Sequence, residues 1–390
     1  MKSGQILESK IQEARLKYPA LKNKSYLNFG AQGSMALSTI ERIQKSYEYV
    51  QENGPLSAAM FGWIVEECKK IKAILAEELG AQVASLALTQ NATEGCNIAL
   101  WGYEWQENDC LLTTDSEHNG VMKAALQLCK RRKLRLEICR LADLQSEEEI
   151  ISELEKSIRQ NKPKLFMLSH VLWNTGKVLP LKEITEICHK HDVLVLADGA
   201  QSVGVLPLNL KELGADFYAF TGHKWLGGPE GIGALYIKPE SLERIEPTFA
   251  GWRGAVFDAK GYPVDWAPDA SRFEVATAPF PLLSGLAEAI KLHREFGTAE
   301  ERYQTILKNT ARLSEALKSI PGLSLLNPGG GSSLLSFKID KASHLEIVKK
   351  LDSQKIILRT IPNPDCIRAS LHYFSNGEID ALVDGLKKLV

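Results

Sequence analysis

The sequence predicts an α/β protein: a large domain on a mostly parallel sheet, then a small α+β domain at the C-terminal end. Three observations carry this. Between Leu27 and about Ile237, short apolar runs alternate with helical stretches, the pattern of a sheet covered by helices on both faces. A loop-rich segment with tryptophan and proline clusters, GWRGAVFDAKGYPVDWAPDA, then breaks the alternation. A chain of 390 residues also exceeds the size at which a single core keeps growing. The expected large domain covers residues 21–280 and the small one 281–390, with the segment 1–20 packing on the small domain.

Taken in order, the expected strands are LALT, CLLTT, LRLEI, LFMLS, VLVLAD, DFYAF and ALYI, short runs rich in apolar and β-branched or aromatic residues. The stretch FPLLSGLAEAIKLHREFG has apolar residues at helical spacing. A second, TAEERYQTILKNTARLSEALKSI, opens with a capping-box pattern at Thr298 and Glu301. Then follow a strand SLLSFKI, a helix from about His344, strands KIILRT and CIRASL, and a terminal helix ending at Val390. The run NPGGGSS, Asn327 to Ser333, reads as a turn, and no internal repeat is present.

Composition excludes several classes of partner. With 47 basic and 48 acidic side chains the formal net charge is -1, so no global field gathers nucleic acid or an anionic membrane. The densest basic run, Lys130 to Lys133, closes a helical stretch, where cations complement the carboxyl end. No apolar run reaches the length of a membrane span, and the mixed-charge amino end does not read as a signal sequence. Seven cysteines with no C-x-x-C pair imply reduced thiols rather than a disulfide framework. A cytoplasmic location is expected.

In open parallel sheets, ligands sit beyond the carboxyl ends of the strands. Polar residues cluster there: Thr93 after LALT, His118 after CLLTT, Asn174 after LFMLS, Asp198 ending VLVLAD, and Lys224 after DFYAF. Lys224 lies in TGHKWLGGPEGIG, between two apolar runs, where its ammonium would lose water unless something uses it. A desolvated lysine commonly serves as a Schiff-base former, and pyridoxal phosphate is the matching aldehyde cofactor. Such a cofactor needs a carboxylate at its ring nitrogen, donors at its ring oxygen and a cradle for its phosphate. Asp198 suits the first role, and Gln201 and Asn174 the second. Ala92 and Thr93 at a helix amino end, with Gly95 easing backbone approach, suit the third, with Thr221 and His223 as further donors. His118 is placed to lie on the ring.

Each residue alone has a plainer reading. Asp198 and Thr93 read singly as caps, His118 as a loop residue and Asn174 as a turn residue. The glycines from Gly227 to Gly233 lead into a strand, unlike a dinucleotide fingerprint. The order of aspartate, glutamine three positions on, and then His-Lys after the next strand favours the cofactor reading.

The runs ADGAQS, TGHKW, NATEGCN and IRASLHYF resemble the class V aminotransferase group of pyridoxal phosphate enzymes, which includes the cysteine desulfurases. The similarity covers nearly the whole chain. YLNFGAQG, LSHVLWNTGKVLPL, FAGWRG and FEVATAPFP most resemble the cysteine/cystine C-S lyases within it. The resemblance implies the fold type I architecture, with a seven-stranded mixed sheet, and a homodimer whose active sites are shared. It implies Lys224 as the Schiff-base lysine, Asp198 as the ring-nitrogen partner and His118 as the stacking residue. It also implies that Thr277 reaches the phosphate from the neighbouring subunit, and that Arg368 binds the substrate carboxylate.

Desulfurases of this group carry a mobile cysteine on the loop between RT and the RAS strand. Here that connection is IPNPDCI, markedly shorter, and its single thiol, Cys366, opens an apolar strand as a buried structural cysteine would. The expected reaction is therefore β-elimination of cystine or cysteine to pyruvate, ammonia and a persulfide or sulfide. Sulfur transfer with alanine as product, and transamination, remain as alternatives. Arg359 stands near Arg368, and two arginines suit a substrate with two carboxylates, while a surface ion pair is its plainer role. Trp252, with Arg253, is expected to shape the substrate end, against core or interface packing. A sulfur or iron-sulfur acceptor is the expected downstream partner.

Overall fold

The computed structural model describes residues 8–327 and 331–389. The expected turn at Asn327 to Ser333 has its centre, 328–330, outside the described residues, as are the first seven residues and Val390. All seven expected strands of the large unit form: β1 (Leu86–Thr89), β2 (Cys110–Thr114), β3 (Arg135–Cys139), β4 (Leu165–Ser169), β5 (Leu194–Asp198), β6 (Phe217–Thr221) and β7 (Gly233–Ile237). They make one sheet in the order β1-β7-β6-β5-β4-β2-β3. β7 runs antiparallel to β1 and β6, and the other neighbouring pairs are parallel.

Apart from the edge strand β3, these runs are buried almost throughout, and strand alternation explains why. Phe166, Leu168, Val195, Ala197, Tyr218 and Phe220 face one way and meet helices Ala58–Leu79, Glu147–Asn161 and Leu181–Lys190. Leu165, Met167, Leu194, Leu196, Phe217 and Ala219 face the other way, against helices Ala92–Gly102 and Asn119–Arg132. Successive residues thus feed two separate cores, so neither face tolerates a polar run. Each fully buried Leu or Phe contributes about 1.5–3 kcal/mol.

The C-terminal part holds a four-stranded antiparallel sheet, in the spatial order Leu323–Leu325, Leu334–Ile339, Asp365–Ser370, Arg359–Pro362. Helices Ala299–Lys318, His344–Ser353 and Gly377–Lys387 cover it through Leu313, Leu317, Leu351 and Leu382. The capping box of Thr298 and Glu301 is made in both directions. Helix Phe280–Phe296 spans the expected boundary at 280/281. Leu283, Leu286 and Ile290 lie in the large core, whereas Leu292 and Phe296 join a cluster with Leu334, Tyr373 and Phe374. On the N-terminal helix Glu8–Leu16, Arg15 bonds the Phe374 carbonyl at 2.8 Å and pairs with Glu378 at 2.7 Å. Among the described residues no helix is long and apolar enough to cross a membrane.

Candidate active site

A cavity of ≈ 450 Å³ opens at the carboxyl ends of the parallel strands, lined among others by Ala92, Thr93, His118, Asp198, Gln201, Thr221, His223, Lys224, Arg359 and Arg368. Five of the strands lead into it, and β4 brings Ser169. β1 leads into the helix that starts at Ala92, β2 into His118, β5 ends on Asp198, and β6 ends on Thr221, three residues before Lys224. Asn91, rather than Thr93, caps the first helix: its side chain accepts from the Glu94 amide at 3.0 Å. That leaves Ala92 and Thr93 on the cavity wall at the positive end of the helix, a ready anion site. Gly95 serves packing rather than anion approach. A Cβ there would lie 2.9 Å from the Ala219 Cβ of β6, so only glycine lets the helix sit this close to the sheet.

His118 is itself the cap of the next helix, its Nδ1 accepting from the Gly120 amide at 3.2 Å. Burial, and then Lys224, lower its proton affinity, which favours the neutral ring. Asp198 is buried, and its Oδ1 accepts from the Ala200 amide at 2.9 Å. Lys224 is pushed down to about 8, first by burial, with Arg368 and Arg359 adding to the shift and Asp198 opposing it. At neutral pH about a tenth of such an amine is uncharged, far more than of an exposed lysine, and that fraction is a nucleophile and a base. Thr221 and His223 meet through Oγ1 and Nδ1 at 2.5 Å. Gln201 donates from Nε2 to the Gly30 carbonyl at 2.9 Å and accepts from the Trp225 indole at 3.0 Å, so one N–H hydrogen of its amide remains for a ligand.

Arg368 is 1% exposed, and its Nη1 donates to the Trp173 carbonyl. Its Nε and Nη2 have no partner in the protein. A buried guanidinium with two unused donors costs several kcal/mol unless an anion arrives, so the cavity is built for a carboxylate at this end. Arg359 stands beside it and weakens its proton affinity further.

Three expected residues stand apart from this wall. Asn174 is corrected: it donates to the Asn363 carbonyl at 3.2 Å and lines a neighbouring cleft, and the wall position belongs to Trp173. The reason is a turn. Ser169 and Val171 line the cavity, and the chain then turns over Trp173–Thr175, closed by the Gly176 amide on the Leu172 carbonyl at 2.8 Å, which leaves Trp173 on the wall and Asn174 in the neighbouring cleft. Trp173, which the sequence reading missed, packs edge-on to His118 with ring centroids 5.3 Å apart. Thr277 lines a separate groove with Thr89 and Gln90. Trp252 is 44% exposed and stands off the wall, and Arg253 is taken up by Glu274.

Cys366 is fully buried and faces Ile361 across the hairpin. Burial pushes its thiol up to about 11. Among the described residues no cysteine lines the cavity.

Residues 25–379 match the family described as aminotransferase class V. The chain belongs to the class V aminotransferase family. Its cofactor is accordingly pyridoxal phosphate, and the site fits that group: a depressed lysine, a buried carboxylate and a helix amino end converge on one cavity. The chain is similar to the cystine C-S lyase C-DES, solved with its reaction product cysteine persulfide, at 41% identity and a TM-score of 0.92, over 95% of this chain and 99% of that one. A lysine-to-alanine mutant of C-DES, with glycine covalently linked to the PLP cofactor, gives 41% identity and a TM-score of 0.93 over 96% and 98% of the two chains. A probable cysteine desulfurase of Halalkalibacterium halodurans is 29% identical over 93% of this class V chain and 92% of its own length.

Proposed function

We propose that the protein is a pyridoxal phosphate-dependent C-S lyase that eliminates the sulfur substituent of L-cystine or L-cysteine, giving pyruvate, ammonia and a persulfide or sulfide. One observation carries the choice over sulfur transfer. Strands Arg359–Pro362 and Asp365–Ser370 pair up to Pro362 and Asp365, so only Asn363 and Pro364 make the turn, and Cys366 is locked in the ladder. There is no loop on which a thiol could travel to a substrate sulfur. The likeness to C-DES at 41% identity supports the same reading.

The cofactor, when bound, supplies an electron sink for the bond broken at Cα. The chain's own residues do the rest. Ala92, Thr93, Thr221 and His223 would hold its phosphate, Asp198 would keep its ring nitrogen protonated, and His118 would cover the ring. Arg368 fixes the substrate carboxylate through its unused donors, and Arg359 beside it suits the second carboxylate of cystine. Lys224 Nζ then takes the Cα proton, and the sulfur at Cβ leaves with its electron pair. Water enters at the end: cystine plus water gives pyruvate, ammonia and cysteine persulfide. A persulfide is a more stable anion than hydrosulfide, which favours cystine.

The relatives named as desulfurases support a second reading, in which sulfur passes to a protein thiol and alanine is released. Incubation with cysteine and identification of the three-carbon product separates the two: pyruvate for elimination, alanine with a protein-bound persulfide for transfer.

Further parts of the proposal concern assembly and setting. The enzyme acts as a homodimer in which Thr277 and Trp252 reach the other copy's cavity. Phe249, Trp252, Val256, Phe257, Tyr262 and Val264, all exposed and near one another in sequence, form an apolar stretch that a second copy would cover. Light scattering at micromolar protein should give twice the chain mass. We take the enzyme to be cytoplasmic, to divide into a large domain, 21–280, and a small domain, 281–390, and to hand its persulfide to a sulfur or iron-sulfur acceptor.

A further inference from the structure

Behind the cavity floor, the chain on either side of Lys224 is gripped at its carbonyl oxygens by three separate segments. The Gly33 amide donates to the His223 carbonyl at 2.7 Å. His372 Nε2 lies 3.2 Å from the Trp225 carbonyl, and His293 Nε2 lies 3.0 Å from the Leu226 carbonyl. Lys224's own carbonyl accepts from the Gly227 amide at 3.1 Å, closing the turn. We infer that His372 and His293 are positioning residues for Lys224: two neutral imidazoles, donating from Nε2 to the carbonyls of Trp225 and Leu226, that hold the lysine's backbone at the cavity floor. The inference rests on Lys224 being the cofactor lysine.

The tautomers follow from the partners. A carbonyl oxygen only accepts, so each Nε2 must carry the hydrogen. His293 Nδ1 is then free to accept from the Tyr373 hydroxyl at 3.1 Å. His372 Nδ1 has no partner, which suits a neutral ring stacked on Phe374 with centroids 4.1 Å apart. Both rings are buried, at 3% and 2% exposure, and burial holds both well below the usual histidine range, so neither charges at neutral pH. Their surroundings reinforce the grip. Trp225 is fully buried and lies near-parallel to His372 at 6.4 Å, with its indole held by Gln201. Gly33 comes so close that a Cβ would lie 1.9 Å from the Lys224 carbonyl oxygen.

These contacts tie the lysine to the substrate end. His372 follows Arg368 by four residues, just past strand Asp365–Ser370, so one segment carries both the carboxylate-binding arginine and a grip on the lysine loop. The spacing between guanidinium and amine is set by that segment. Its sequence, RASLHYF, gave no reason to give His372 a role beyond family resemblance.

The test has two arms. In wild-type holoenzyme labelled with nitrogen-15 histidine, NMR should show both rings neutral and protonated at Nε2 between pH 6 and 8; a cationic ring, or one protonated only at Nδ1, overturns the inference. In the second arm, His372→Leu removes the donor and His372→Gln keeps one. His372→Leu should weaken pyridoxal phosphate binding at least tenfold and slow borohydride-trapped tagging of Lys224, with His372→Gln returning within about threefold of wild type. Binding and tagging unchanged in both variants, or equally impaired in both, overturns it. Should His372→Leu fail to fold, the ring tautomers of the wild type still decide. Wild-type protein that takes no tag at Lys224 removes the cofactor role of the lysine and the inference with it. That result is distinct from failure of the histidines alone, in which the wild type is tagged and the variants match it.

Discussion

Pro362 and Asp365 face each other as the last pair of a hairpin ladder, one position beyond the pair of Ile361 and Cys366. A thiol in that position is fixed by backbone hydrogen bonds on its own strand and by burial against Trp173 and Ile361. Such a cysteine packs as a small hydrophobe and does not reach a ligand.

Replacing Cys366 therefore tests the reaction class. Cys366→Ala should leave kcat for pyruvate formation within about twofold, at a stability cost of about 1 kcal/mol from lost packing. Pyruvate assays and a thermal melt on the same preparation check both numbers. A loss of a hundredfold or more in turnover, with the fold intact, would return the thiol to the mechanism.

Lys224→Ala should abolish turnover by at least about 10³-fold while leaving the far-UV circular dichroism unchanged. Intact-mass measurement after borohydride should show the cofactor tag on the wild type and none on the variant.

The depressed lysine sets a pH dependence that can be read without substrate. In the free protein Lys224 is protonated below about 8 and neutral above it, because burial disfavours the cation. Only the neutral amine attacks an aldehyde. The rate of pyridoxal phosphate capture, followed by absorbance, should climb about tenfold per unit at low pH and level off above about 8, not near 10.5 where an exposed lysine would. Stability has the opposite driver. A folded-state pKa below the unfolded value disfavours folding while the lysine is charged, so that penalty is full below about 8 and fades as pH rises through 8 toward 10.5. Lys224→Met should raise the Tm of cofactor-free protein at pH 7, and raise it less at pH 10.

The two arginines should separate in kinetics. Arg368→Lys removes the planar fork and should lower kcat/KM about 10²-fold, equivalent to about 3 kcal/mol. Arg359→Ala should raise KM about tenfold for cystine and less for cysteine, if the second carboxylate of cystine meets it. Equal effects on both substrates would assign Arg359 to the common carboxylate only.

Much of this was legible in the sequence because the sheet is buried on both faces. Six apolar runs and the half-exposed LRLEI at the sheet edge read as strands, and the polar residues ending the parallel ones gather at one edge. Thr93, His118, Asp198 and Lys224 were found by that rule, and they do meet. Asn174 was misplaced because the run does not show where its turn falls: the Gly176 amide closes on the Leu172 carbonyl, and the turn between them leaves Trp173 on the wall and Asn174 in the neighbouring cleft. The cap at Asn91 and the packing duty of Gly95 depend on how the helix meets Ala219, which the chain's order does not reveal. The grip of His372 and His293 on the lysine loop joins residues 147 and 67 positions away from their acceptors, a distance no local pattern spans.

The most direct measurement is the identity of the three-carbon product that the purified holoenzyme forms, with no added reductant, from isotope-labelled L-cystine and in parallel from L-cysteine. Stoichiometric pyruvate and ammonia, with persulfide sulfur in solution and none attached to the polypeptide, is the predicted result. Alanine as the main product, with a 32 Da adduct on Cys366 at about one per chain, would contradict it.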